Sequence, residues 1–213
     1  MELCTLASGS SGNAVLVFDN DTALLFDAGI SAKRICDGLK QLGLSAGQLD
    51  GICITGGEPT LQPELPEFLE KICDLGYAIK LDTNGTNPGM LKRLLRDGIL
   101  DYVAMDIKNS PSRYAETCGG IDCLSRVQES AALLMDGTVD YEFRTTVCAP
   151  LHTPRDMEEL GRWLKGARRY FLQPFAGSGA LVGGGVSPPS EDEIKALRDS
   201  VLPYIPNTQI RGQ

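Results

Sequence analysis

The sequence predicts an α/β fold in which parallel strands alternate with helices and curl into a partial or complete barrel. Two observations support this prediction. Short apolar runs alternate with helical patterns along most of the 213 residues, which is typical of βαβ units with a parallel sheet. Glycines and capping residues separate one element from the next. Right-handed crossovers between such units would then curl the sheet.

The beginning of the chain predicts a β-hairpin followed by a βαβ unit. A weak strand from Leu3 leads into a turn at 8–13, where a hairpin turn is favoured over a phosphate-binding nest. The elements predicted next are a strand at 14–18, a turn at Asn20-Asp21, a strand at 23–26, a helix at 31–42 with Ser31 as its cap, and a strand at 51–55.

The remainder of the chain alternates regularly. The predicted helices are 63–75, a helix from Pro88 that stops at Gly98, 121–135, 154–165 and 190–202. The predicted strands are 77–81, 101–107, 140–147, 170–174 and 208–211. The stretches 109–120 and 176–189 are predicted to be loops.

Composition excludes several classes of function. The net charge of −8 and the pI of about 4.7 argue against binding nucleic acid or an acidic membrane. The sequence shows no signal peptide and no membrane-spanning run, so we expect a cytoplasmic protein. A single histidine, His152, cannot build a multi-histidine metal site.

Polar residues follow the carboxyl ends of successive predicted strands, where parallel α/β folds bind ligands. They are Gly56, Gly57 and Glu58, then Asp82, Thr83 and Asn84, then Asp106 and Lys108, and finally Arg144. We expect them to meet at one mouth. Carboxylates can bind an ammonium and the cations can bind a carboxylate, so the set suits a zwitterionic or anionic small molecule.

Simpler interpretations of these residues stay open. Asp82 and Asn84 could be turn and cap residues, and Asp106 with Lys108 could be a surface ion pair. His152 could equally be a solvated loop histidine.

The seven cysteines are odd in number and contain no CxxC motif, which argues against a disulfide framework. Cys53 and Cys73 are predicted to be core residues. Cys118 and Cys123 could form a thiol or metal pair, although a turn at Gly119-Gly120 before a helix is favoured.

Residues 52–213 resemble the radical S-adenosylmethionine (SAM) superfamily. The similarity is greatest to activating proteins of anaerobic ribonucleoside-triphosphate reductase, relatives of the activases of glycyl radical enzymes. The motifs that carry it are ITGGEPTLQPEL (54–65), KLDTNGTNP (80–88), DYVAMDIK (101–108), EFRTTV (142–147), YFLQPF (170–175) and PNTQIRG (206–212). The resemblance implies a partial (βα)6 TIM-like barrel and a glycyl radical enzyme as partner.

The resemblance also implies roles for the strand-end residues. Gly56, Gly57 and Glu58 would hold the amino group of SAM. Asp82 and Thr83, with Asn84 after them, would lie beside its carboxylate. Three further residues, Asp106, Lys108 and Arg144, would complete the pocket, and His152 matches a position near SAM.

One departure from the family is decisive for activity. The superfamily's CxxxCxxC motif, whose thiolates hold a [4Fe–4S] cluster, is absent from this sequence. No catalytic or metal-binding residue is therefore predicted. We expect a chain that is inactive or impaired, or alternatively a non-catalytic SAM-binding or partner-docking remnant.

The first part of the chain carries a second resemblance. LASGSSGNAVLV (6–17), LLFDAGISAKRICDGLKQLG (24–43) and LDGICIT (49–55) are similar to metallo-β-lactamase-fold hydrolases. That family continues into metal-binding histidines, whereas Thr55 here is followed by Gly56-Gly57-Glu58. This excludes dinuclear zinc hydrolysis and argues against a metallohydrolase, which stays the second alternative. The sequence predicts a chimera with segments 1–50 and 51–213, in which a hairpin and βαβ unit replace the first strand and cluster loop of the barrel.

Overall fold

The structure is a computed structural model that describes residues 1–7, 14–19, 21–27, 32–54, 57–176 and 185–212. The chain divides into two compact units. The first comprises Met1–Thr83 and Gly89–Ala104, and the second comprises Asn84–Pro88 and Met105–Gln213. Among the described residues, no helix has the length and apolar character that crossing a membrane requires.

The first unit begins with a hairpin and continues with parallel strands. Its strands are β1 (Glu2–Ala7), β2 (Ala14–Phe18), β3 (Ala23–Phe26), β4 (Gly51–Ile54) and β5 (Ala78–Thr83). Its helices are α1 (Ala32–Gln41), α2 (Leu65–Asp74) and α3 (Pro88–Arg96), whose first residue belongs to the second unit. Strand β2 pairs antiparallel with β1 and β3, whereas β4 pairs parallel with β3 and β5. The predicted hairpin and βαβ unit are confirmed.

Register places the apolar side chains of the first unit in rows. Leu25 pairs with Ile52, and Ile52 pairs with Ile79. All three are buried, as expected where one face of a sheet is covered by helices. Cys73 is exposed at the end of α2, so its predicted place in the core is wrong. It lies in the last turn of α2, in which no residue is buried.

The second unit continues the strand–helix alternation. Its strands are β7 (Asp140–Val147), β8 (Tyr170–Pro174) and β9 (Thr208–Ile210), and its helices are α4 (Tyr114–Thr117), α5 (Leu124–Asp136), α6 (Pro154–Trp163) and α7 (Glu191–Val201). The intervening strand β6 (Tyr102–Asp106) contributes residues to both units. Strand β8 pairs parallel with β7 and β9. Just after β6, the Ile107 N–H donates to the Arg144 carbonyl oxygen over 2.8 Å.

Several predicted boundaries differ from the structure, among them the following three. The stretch 109–120 is not simply a loop, because Pro111 begins a 3₁₀ turn and the buried Tyr114 anchors α4. The next helix begins at Leu124 rather than at 121 because Gly119 and Gly120 have positive φ values of 68° and 85°. Strand β5 extends through Thr83 rather than ending at 81. Two other predictions, the turn at 8–13 and the Ser31 cap, lie outside the described residues.

Candidate functional site

Glu58 is held rigidly at the turn after β4. Its Oε1 accepts hydrogen bonds from the Thr60 N–H at 3.1 Å, from Thr60 Oγ1 at 2.5 Å and from Thr83 Oγ1 at 2.7 Å. Thr60 and Thr83 are both buried. Gly57 allows the turn because its φ is 60°, in the left-handed region. Gly56, the remaining predicted residue of this turn, lies outside the described residues.

Asp82 and Thr83 are neighbours on β5 and therefore face opposite sides of the sheet. Thr83 bonds to Glu58, whereas Asp82 forms an ion pair with Lys80. Strand alternation places Lys80 on the same face as Asp82, two residues away. Sequence reasoning missed Lys80, although the i, i+2 spacing of the two charges in KLD was a usable signal.

Lys80 also approaches a buried thiol. Its Nζ lies 3.8 Å from Cys53 Sγ on β4, which agrees with the register that pairs these residues. Burial and the negative charge of Asp82 raise the pKa of the Cys53 thiol, and Lys80 opposes this shift. Cys53 is therefore a buried thiol in the protonated form, as the prediction of a core residue expected.

Asp106, Lys108 and Arg144 form a connected cluster in the second unit. Asp106 Oδ1 accepts from Arg144 Nε at 2.5 Å, and Oδ2 accepts from Lys108 Nζ at 3.0 Å. Burial by itself would raise the pKa of Asp106, but Lys108 and Arg144 outweigh it and the net pKa is lowered. Arg144 has 15% side-chain exposure, so the cluster is more than a surface ion pair. Its formal charges sum to one positive unit.

Asn84 is a turn residue of the second unit. Its Oδ1 accepts the Thr86 N–H at 2.9 Å, which is a local turn of the Asx type. The following Gly85 has a φ of 73°, and a Cβ there would lie 2.2 Å from the Met105 side chain. Asn84 is therefore a turn residue, which is one of the interpretations that the sequence left open.

His152 is buried, so its interpretation as a solvated loop residue is wrong. Its Nε2 donates to the Lys108 carbonyl oxygen over 2.9 Å, and Nδ1 lies 3.2 Å from the Cys148 nitrogen. Because both ring nitrogens contact backbone groups, His152 connects the loop after β7 to the backbone of Lys108. A lone histidine in a loop gave no sign of this burial.

The predicted site residues thus fall into two groups. Glu58, Asp82 and Thr83 lie in the first unit, and Asn84, Asp106, Lys108, Arg144 and His152 lie in the second. The structure joins Glu58 with Thr83 and joins Asp106 with Lys108 and Arg144.

The cysteines do not fit a cluster that needs several thiolates. All seven are free, and all lie within the described residues. In that part of the chain, no group of at least three histidine, cysteine or acidic side chains is arranged to hold a metal ion. Cys118 and Cys123 do interact. The pKa of Cys118 is raised to about 11, mainly by burial and to a smaller extent by the hydrogen bond with Cys123.

Comparisons with known proteins agree with the fold and the motifs. The sequence model of the Radical SAM superfamily matches residues 28–164. A protein of Methanocaldococcus jannaschii with the provisional name of a glycyl-radical enzyme activating enzyme is 31% identical over 169 residues, covering 76% of this chain and 70% of that protein. The 7-carboxy-7-deazaguanine synthase of Neisseria meningitidis serogroup B is 40% identical over 131 residues. That match covers 61% of this chain and about half, 49%, of the synthase.

Solved structures show the same fold. A radical SAM methyltransferase from Sphaerobacter thermophilus superposes with a TM-score of 0.69 at 15% identity, covering 94% of this chain and 69% of that chain. The predicted α/β fold, a partial TIM-like barrel of the radical SAM type, is confirmed. The chain belongs to the radical SAM superfamily, whose members use SAM and a [4Fe–4S] cluster.

Proposed function

We propose that this chain is a SAM-binding relative of the activases of glycyl radical enzymes and that, as written, it does not cleave SAM. We assign its ancestry to the activases of anaerobic ribonucleoside-triphosphate reductase. The named relative from Methanocaldococcus jannaschii supports the activating-enzyme class. The finer assignment rests on the motifs of residues 54–65, 80–88 and 101–108.

The amino group of SAM is assigned to the turn that contains Gly56, Gly57 and Glu58. Hydroxyl and amide groups donate to Glu58 Oε1, and these uncharged donors orient the carboxylate. A negative, oriented carboxylate is a suitable partner for an ammonium. This arrangement is the observation that carries the proposal of SAM binding.

The carboxylate of SAM is assigned to the cluster of Asp106, Lys108 and Arg144. Asp106 orients both cations, and the excess of one positive charge favours an anion. Asp82 and Thr83, in the first unit, are a separate proposal for SAM binding, with Lys80 as the counter-ion of Asp82. We assign Asn84 and His152 positioning roles, because both bond to backbone groups, Asn84 to Thr86 and His152 to Lys108 and Cys148.

Loss of cleavage follows from the missing thiolates. The sequence has no CxxxCxxC motif, and the described residues bring no three metal-binding side chains together. Anaerobic reconstitution with iron and sulfide should therefore give no charge-transfer absorption at about 400 nm and no methionine from SAM after reduction. Formation of both would contradict the proposal.

Titration calorimetry with SAM in iron-free buffer tests binding separately. We expect micromolar affinity, and Glu58→Gln should weaken it about tenfold because a hydrogen bond to a charged group contributes about 1.5–3 kcal/mol. Glu64→Gln is the matched control, since Glu64 is exposed and its side chain makes no cap hydrogen bond. Absence of heat at millimolar SAM would contradict SAM binding, and equal effects of both variants would contradict the role of Glu58.

The origin of residues 1–50 is a separate part of the proposal. We assign them to a metallo-β-lactamase-type ancestor, with the unit β3–α1–β4 in the place of the first strand and cluster loop. Parallel pairing of β3 with β4 supports this. Genomic sequencing across codons 45–60 tests the join, and finding the two segments apart in the genome would contradict a natural chimera.

A further inference from the structure

A cavity of about 310 Å³ lies in the second unit, lined by the segment that follows β7 and by the start of α7. Its apolar lining includes Val147, Pro150, Pro154, Pro189 and Leu197. Two chemically reactive side chains, Cys148 and His152, also line it. Neither proposed SAM-binding cluster includes the cavity's apolar wall.

The other polar side chains of the lining are occupied in helix caps. Thr153 Oγ1 donates to Asp156 Oδ2 over 2.7 Å at the start of α6. Glu193 Oε2 accepts the Ser190 N–H over 2.7 Å at the start of α7. The cavity therefore offers a ligand mainly apolar contacts, together with the thiol and the imidazole.

Hydrogen bonding fixes the tautomer of His152. A carbonyl oxygen only accepts, so the 2.9 Å contact with the Lys108 oxygen requires a proton on Nε2. In the neutral ring, Nδ1 then carries the lone pair. Nδ1 accepts the Cys148 N–H over 3.2 Å and also lies 3.8 Å from Cys148 Sγ. The basic nitrogen of the ring is therefore shared between the amide and the thiol of Cys148.

The surroundings also accommodate the protonated ring. Once Nδ1 receives a proton, it no longer accepts the Cys148 N–H but can donate to the Cys148 carbonyl oxygen at 3.2 Å, while Nε2 keeps its bond to Lys108. Burial raises the pKa of the Cys148 thiol, so the thiol needs a nearby base to act as a nucleophile. The geometry supplies that base.

We propose that Cys148 and His152 form a nucleophilic pair that adds to a small α,β-unsaturated carbonyl compound held in this cavity. The thiol proton passes to His152 Nδ1 as the sulfur forms a bond to the β-carbon and the carbon–carbon π bond breaks. The resulting enolate then takes a proton back at its α-carbon. The addition has no leaving group and needs no oxidant, reductant or co-reactant.

Labelling with N-ethylmaleimide, an electrophile of this class, tests the proposal on the intact chain. Peptide mapping by mass spectrometry should show Cys148 modified in the native protein. Cys123, which is similarly buried but does not line the cavity, should react only after unfolding, and the exposed Cys73 serves as the reactive reference. A maleimide carrying a long polyethylene glycol chain should not reach Cys148. Equal protection of Cys148 and Cys123, or equal labelling by both reagents, would overturn the proposal.

Two variants separate access from activation. Ala196→Trp places a large ring at an exposed position of the lining and should slow labelling of Cys148, whereas Ala132→Trp, on an exposed position of α5, should not. His152→Gln should lower the rate about 10²-fold, the contribution typical of a general base, while Cys123 stays protected. If His152→Gln does not fold, the comparison of Ala196→Trp with Ala132→Trp still tests whether Cys148 is labelled through the cavity. Unchanged labelling in Ala196→Trp, or in folded His152→Gln, would overturn the proposal.

Discussion

Glu58 in the first unit and Asp106 in the second are both carboxylates just after or at the end of a strand, but their partners differ. Glu58 Oε1 accepts from two hydroxyls and one amide. Asp106 instead bonds to two cations, Lys108 and Arg144. The donors given for Glu58 are therefore uncharged, whereas those given for Asp106 are two cations.

This difference shows how a carboxylate can form part of two binding surfaces that favour ligand groups of opposite charge. Neutral donors orient a carboxylate and leave its charge available to a cation. Two cations reverse the local sign and make the carboxylate an organiser of positive groups. The two environments therefore favour ligand groups of opposite charge.

The largest loss of stability is expected when Arg144 is removed from the cluster of Asp106, Lys108 and Arg144. Arg144→Met leaves Asp106, whose side chain has 30% exposure, with Lys108 as its one remaining cation in the cluster. We expect the free energy of unfolding to fall by about 2 kcal/mol, below the range for fully buried pairs. Denaturant titration measures it, with Arg126→Met at an exposed position of α5 as control. Equal stability of the two variants would contradict this account of the cluster.

A ligand without the carboxylate should sharpen the comparison. Lys108→Met should weaken SAM binding about tenfold, as expected for loss of a bond between charged groups, but should leave the affinity for decarboxylated SAM unchanged. Glu58→Gln should weaken both ligands, because both keep the amino group. Calorimetry measures the four affinities, and Lys195→Met, at a side chain of α7 with 45% exposure, is the charge control. A loss of affinity for decarboxylated SAM in Lys108→Met would contradict the assignment.

Each hydrogen-bond donor to Glu58 should contribute less to the free energy of unfolding than Arg144 does. Thr60→Val removes the hydroxyl that donates over 2.5 Å and should lower the free energy of unfolding by about 1 kcal/mol. Thr138→Val, at an exposed position after α5, should have little effect. Thermal or denaturant unfolding measures the difference, and no difference would mean that Thr60 does not hold Glu58.

Acid should produce the smallest effect. The pKa of Asp106 is lowered from its ordinary 3.8 in the folded chain, so its contribution to stability is present above that pH. The contribution is lost as the pH falls through the lower folded pKa. We expect Asp106→Asn to reduce the loss of stability between about pH 5 and about pH 2, relative to the exposed control Asp136→Asn. Parallel stability curves for the two variants would contradict the shift.

Much of the fold could be predicted because its signals are local. Alternating apolar residues and capping signals gave β2, β3, β7 and β8 with the bounds that the structure shows. The Thr153 and Ser190 caps followed from side chains that bond within one turn. The stretch 109–120 was mispredicted because its order depends on the burial of Tyr114, a contact that sequence spacing does not encode.

The sequence by itself determined the superfamily motifs, the strand-end positions of Glu58, Asp106 and Lys108, and the absence of the cluster cysteines. Each is a matter of residue identity and short-range pattern. Only the tertiary structure decided that Lys80 pairs with Asp82, that Cys73 is exposed and that His152 is buried beside Cys148. Burial and pairing depend on which segments pack together, and a single chain read in order does not contain that information.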